Sequence, residues 1–212
     1  MKLDQLKTAL DFHLNTIGHT AKEFPWADKQ YYAMWLRQTY AFVCHSTRLL
    51  TLASAKSTDQ NLHNRYLDHA MEEKSHEKLL ERDFKVLGLK IEDYPELANT
   101  AAFYQTQYYW AQQVHPNALF GYILLLEGLA VKVGGDVYNQ IKKHHGDPCC
   151  NFIRVHVEAD QDHLPKAFQI LEKADPNTFP HIARALELSS HYYHSFMKDI
   201  LAGQWNENKK AA

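Results

Sequence analysis

His69, Glu73 and His76 stand at steps of four and three residues, and His156, Asp160 and His163 repeat those steps. At 100° per residue, positions 0, 4 and 7 fall within an arc of about 60° on an α-helix. Each triple therefore aims two imidazoles and a carboxylate at one point. Between the triples, Glu127 interrupts the apolar run GYILLLEGLAV. A lone carboxylate in such surroundings must be neutralised, paired or bound to a cation. Seven ligand-type side chains on three segments make the donor set of a metal site, and their number suits two ions.

The bland alternative is a pair of solvated helix faces. The chain has 14 His and 25 acidic residues among its 212, and at those frequencies about 0.1 chance matches to H-x3-[DE]-x2-H are expected. Two matches together with Glu127 favour the metal. Imidazole combined with carboxylate suits iron, manganese or zinc and not the softer metals. Helical bundles hold two such ions when facing helices project carboxylates and imidazoles, with Glu-x-x-His as a recurring element. Glu73-Lys74-Ser75-His76 is that element. Ions about 3.5–4 Å apart are well served by carboxylates that shift between bridging and terminal modes, and Glu127 is the candidate for the bridging, catalytic carboxylate. No Arg or Lys falls plainly on the metal-facing arcs to mark the charge of a substrate.

The elements that must position these groups read as helices throughout. No period-2 alternation persists. Apolar spacing predicts helices from about Leu3 to Ile17, Asp28 to Ala55 with Asp28 as N-cap, Gln60 to Leu87, Pro95 to Gln113, Pro116 to His144, Pro148 to Ala174, and Thr178 to Leu201. Short turns between seven helices favour antiparallel neighbours, hence one all-α domain over residues 1–212 in the form of an up-and-down bundle. Pro165, two residues after His163, predicts a kink or a helix end beside a ligand.

Composition narrows the function. Hydrophobic residues make up 45% and the net charge is −2, so nothing points to nucleic acid or an anionic membrane. The apolar run around Tyr122 to Val131 reads as too short to span a bilayer, and the N-terminus is too polar for a signal peptide. With three cysteines, two of them adjacent at Cys149 and Cys150, a disulfide framework is not expected. These features predict a cytoplasmic protein that acts on a small molecule, with no nucleic-acid or membrane partner; a homodimer stays open.

Over residues 60 to 170 the sequence resembles the heme-oxygenase-like di-iron oxidases, the iron-containing redox enzyme family of the heme oxygenase-like fold. That family places a carboxylate and a His on one core helix, a single Glu on a later one, and then H-x3-D-x2-H. The matching residues here are Glu73 and His76, then Glu127, then His156, Asp160 and His163. The resemblance implies a heme oxygenase-like bundle, iron as cofactor (two ions, with manganese as the alternative), and O2-dependent chemistry on a small molecule. The chain departs from the pattern twice. His69 stands where the family often has Glu, seven residues before the first His. The stretch from Lys29 to Thr58 has no Glu or Asp at all, leaving Tyr40 and His45 as its polar candidates.

Two other readings share the fold. A heme protein needs a proximal His on an early helix, for which His13 or His19 would serve, and a flexible distal helix, for which Gly128, Gly134 and Gly135 would serve. A metal-free member of the thiaminase-II type needs a Cys set against a Glu. The remaining histidines, His63, His144, His145 and His181 among them, read as surface residues, and Tyr66, Tyr122 and Tyr193 as ordinary packing.

Overall fold

Leu6, Leu10, Leu14, Ile17 and Ala21 recur at steps of three and four, and all are buried along the first helix, α1 (Leu3–Glu23). That stripe is what drives an amphipathic helix onto a core. The computed structural model describes residues 2–203 and Trp205, with the side chains of residues 159–162 outside the description.

The second predicted helix is broken in two, α2 (Lys29–Val43) and α3 (Ser46–Lys56). Asp28 caps α2, its Oδ1 accepting from the amide of Gln30 at 2.8 Å, as its position foretold. The third predicted helix is also broken, into α4 (Gln60–Glu72) and α5 (Glu77–Val86). Ser75 between them takes a left-handed backbone with φ 73°, which a residue with a Cβ adopts at a cost. The first triple therefore does not ride one continuous helix: His69 lies in the last turn of α4, and Glu73 and His76 flank the turn between α4 and α5.

The chain then forms α6 (Ala98–Tyr109) and a π-helical turn over Trp110–Val114. Next come α7 (Leu119–Leu129), a second π turn at Ala130–Gly134, and α8 (Gly135–His145), which make one rod. Helix α9 (Asn151–Leu171) continues through Pro165 without ending there. Helix α10 (Phe179–Ala202) closes the bundle and stops at Gly203 in the left-handed conformation. Counting each broken pair as one, the described residues form the seven rods that the apolar spacing predicts.

The rod beginning at Pro116 is the centre of the bundle. Residues Pro116–His145 are long and apolar enough to cross a membrane, with a window of mean hydropathy 1.6, yet 67% of that window is buried in the protein. This corrects the estimate of a short apolar run. Helix α7 packs on α1, α9 and α10. Its Gly121 lies so close to α10 that a Cβ there would fall 2.2 Å from the carbonyl oxygen of Ile182. Glu127 sits on this central helix, 3% exposed.

Candidate metal centre

Three ligand atoms converge. Oε1 of Glu73 lies 3.3 Å from Nδ1 of His76 and 3.6 Å from Nε2 of His156. A set with one ligand atom from each residue lies within 4.8 Å of one another. The turn at Ser75 brings His76 back over Glu73, so the broken helix makes the contact that helical periodicity would have made. His156 is oriented by its own helix, with Nδ1 2.9 Å from the carbonyl oxygen of Phe152. That bond suits an Nδ1–H donor, which leaves Nε2 as the lone pair facing Glu73.

His69 is the link to a second group. Its Nε2 is 3.8 Å from Oε1 of Glu73, and its Nδ1 is 3.9 Å from Oε1 of Glu127. Glu127 in turn accepts from Nη2 of Arg65 at 3.1 Å. Arg65 also reaches Glu72, Nη1 to Oε2 at 3.3 Å, and the same Glu72 oxygen is 3.6 Å from Nε2 of His163. The two triples thus face each other across the bundle interior, but as two clusters: Glu73 with His76 and His156, and Glu127 with Arg65, Glu72 and His163. The side chain of Asp160 lies outside the described residues.

Arg65 is the residue that the sequence reading missed. It precedes His69 by four positions and so shares its face of α4. That spacing was the available signal, and it corrects the reading that no cation falls on the ligand arcs. Glu72 likewise takes part although it stands outside both triples.

Burial sets the charge states. It drives the pKa of His69 down to about 3 against the pull of Glu73, so this imidazole is neutral at any ordinary pH. Burial also pushes the Glu73 carboxyl up, but the imidazoles of His156 and His76 at its oxygen outweigh that and hold it well below the usual carboxylate range. A buried anion beside the neutral His69 imidazole is an arrangement that a cation completes. The nitrogen His69 Nδ1 is buried and makes no hydrogen bond, a cost that coordination of a metal would remove. Donors held by one ion at about 2.1 Å stand at most about 4.2 Å apart, so Glu73, His76 and His156, whose ligand atoms lie within 4.8 Å of one another, would close slightly to hold one.

Beside these residues lies a cavity of about 130 Å³ whose wall includes His69, Glu73, Glu127 and His156. From α1 only Ile17 and Ala21 reach it. His19 is exposed and pairs with Glu23, so neither imidazole proposed for heme ligation faces the cavity. No cysteine lines it either. Cys149 and Cys150 are buried, and burial pushes the Cys150 thiol up to about 12, away from the reactive thiolate that the thiaminase-type reading needs. Tyr40 and His45 are also elsewhere: Tyr40 donates to Glu81 at 3.2 Å, and the His45 ring stacks on Tyr104 with centroids 4.1 Å apart. Tyr66 is core packing as expected, whereas Tyr122 and Tyr193 line the cavity. His145 is not a surface residue; it stacks on Tyr32, and its Nε2 lies 2.7 Å from the carbonyl oxygen of Trp26.

A family model for an iron-containing redox enzyme matches residues 33–194. The chain belongs to that family. A domain of unknown function from Shewanella denitrificans OS217, described as having a heme oxygenase-like fold, superposes with a TM-score of 0.82 at 18% identity, over 99% of this chain and 94% of that one. A TenA homolog from Pseudomonas syringae pv. tomato DC3000 gives a TM-score of 0.78 at 10% identity, over 94% of this chain and 92% of that one. At these identities the likeness establishes the fold, which is heme oxygenase-like. No curated protein matches the sequence. In this member of the iron-containing redox enzyme family, Glu73, His76 and His156 are the residues that could hold a metal ion.

Proposed function

We propose that the chain is a non-heme iron oxidase or oxygenase that uses O2 to transform a small molecule. The observation that carries this reading is the convergence of Glu73, His76 and His156, with Glu73 and His156 in the wall of a cavity. Iron would supply the electrons for O2 reduction. Glu73 provides the negative charge that retains it, and His76 and His156 provide neutral nitrogen donors that keep it bound without adding charge. Glu127 and His69 offer a second position, for the two-iron arrangement, which Arg65 must yield before another cation can enter. The largely apolar wall of the cavity would limit water at the reacting centre.

The test is metal analysis of protein purified anaerobically from iron-replete cells, followed by O2 uptake. The reading expects at least one iron per chain, with manganese as the competing occupant. It also expects O2 consumption, measured with substrate candidates present, above that of the same concentration of free ferrous iron. A chain that neither retains metal nor exceeds the free-ion rate would have a binding role instead.

A further inference from the structure

The cavity is apolar but carries two buried hydroxyls with nothing to bond. Thr39 Oγ1 and Tyr122 OH belong to residues of its wall, and neither has a hydrogen-bond partner. Thr39 is 1% exposed and Tyr122 4%. An unmade bond of this kind is unfavourable, so two in one cavity call for an occupant. The rest of the wall comes from side chains such as Trp26, Trp35, Phe42, Leu50 and Ile123. Among the described residues, no Lys or Arg lines it. In the metal-free protein an anion would face the carboxylates of Glu73 and Glu127 with no lining cation to offset them.

We infer that the cavity binds a neutral, largely apolar molecule of roughly benzene to benzyl-alcohol size, whose hydroxyl or carbonyl oxygen bonds to Thr39 or Tyr122. The size follows from the volume: a dry cavity of about 150 Å³ accommodates benzene, and this one is about 130 Å³. The polarity follows from the wall, since burying a charge without a partner is far costlier than burying a hydroxyl that is bonded. Tyr122 is suited to donate, because burial, reinforced by the charge of Glu73, keeps its phenol protonated. This inference describes what the metal-free cavity takes up; that the occupant is the substrate rests on the reading proposed above, and the binding itself does not need metal.

Trp26 and Trp35 line the cavity, so their fluorescence reports an occupant. Toluene, benzyl alcohol and benzoate would be titrated into the protein after chelation, so that no metal recruits the carboxylate, and metal content would be measured separately before chelation. The expected order is benzyl alcohol tightest, toluene weaker by about fivefold, in keeping with one net hydrogen bond, and benzoate weaker than the alcohol by at least about tenfold. In Thr39→Val combined with Tyr122→Phe, toluene should bind as before while the advantage of the alcohol falls to about one. Retained toluene binding shows that this variant is folded. Benzoate binding as tightly as benzyl alcohol, no binding by any of the three, or an alcohol advantage unchanged in the double variant would overturn the inference. Because metal content is read independently, loss of the pocket and loss of the iron centre are separate results.

Discussion

Arg65 Nη2 stands 3.1 Å from Oε1 of Glu127, and both side chains are at least nine-tenths buried. Glu127 is a carboxylate on the central helix, and a guanidinium holds its charge from α4. Removing one partner of a buried pair leaves the other uncompensated, at about 3–5 kcal/mol. Arg65→Met should therefore lower the stability of metal-free protein by that order, read as a shift in denaturation midpoint. The same change vacates the cation position beside Glu127 and His69. The variant should regain stability on addition of ferrous or manganous ion by more than the parent does, and should bind one more equivalent. If it gains no metal, Arg65 is a structural counterion and nothing more.

The turn at Ser75 carries strain next to two ligands. Its φ of 73° costs a residue with a Cβ about 1 kcal/mol relative to Gly. Ser75→Gly should raise the melting midpoint modestly, by the equivalent of about 0.5–1 kcal/mol, and leave metal stoichiometry unchanged. Ser75→Val should do the opposite: a β-branched residue resists this conformation, so the turn that folds His76 over Glu73 should loosen and occupancy should fall. Equal occupancy in the two variants would mean that the conformation of the turn does not govern the ligands.

These two sites show what was readable from the chain and what was not. Helix positions and the seven-rod bundle follow from apolar periodicity, because burial of one face dominates local energetics. Breaks at Cys44–His45 and Glu73–His76 carry no Pro or Gly and left no mark in that periodicity. The Glu73 and His76 pairing was legible for a partly mistaken reason: helical spacing predicted it, and a left-handed serine delivers it. Arg65 was overlooked because a charged residue on a polar helix reads as solvent-facing until its partner on another helix is known. Long-range complements of this kind, like the 62-residue separation between Arg65 and Glu127, are set by packing and not by local sequence. Thr39 was invisible for the same reason, being polar within an apolar helix face with no neighbour to explain it.

The proposed ligands should separate from the other histidines in a direct measurement. His76→Ala and His156→Ala should each reduce bound iron by a large fraction, and Glu73→Gln should do so most strongly, because it removes the anion while keeping the shape. His144 is exposed, and His144→Ala should leave stoichiometry at the parental value. Since binding needs neutral imidazoles, occupancy should also decline in acid. The check is metal content by mass spectrometry beside circular dichroism. Loss of metal in all four variants together with loss of helicity would assign the effect to folding.

The last prediction concerns how the two ligand-bearing segments are tied together. Asp83 on α5 caps the start of α9. Its Oδ1 accepts from the amide of Asn151 at 3.0 Å and from Nδ2 of Asn151 at 2.7 Å, and its Oδ2 accepts from the amide of Phe152 at 3.0 Å. His76 lies seven residues before this carboxylate and His156 five residues after Asn151, so the cap fixes one ligand segment against the other. Burial raises the Asp83 carboxyl from 3.8 to about 6, opposed by the three donors. The folded chain therefore holds this proton more tightly than the unfolded chain does. The contribution is fully present below about pH 4, declines as pH rises towards 6, and is level above it, with a span of at most about 3 kcal/mol. Asp83→Asn has no proton to release, so its stability should fall less than that of the parent between pH 4 and 6. Asp83→Ala leaves two buried amides without an acceptor and should cost about 2–3 kcal/mol at neutral pH, with lower metal occupancy because α9 is freed at its start. Urea midpoints for the three proteins at pH 4.5, 5.5 and 7 decide the matter. Parallel pH curves for parent and Asp83→Asn would show that Asp83 is ionised throughout, acting as a cap with an ordinary carboxylate pKa.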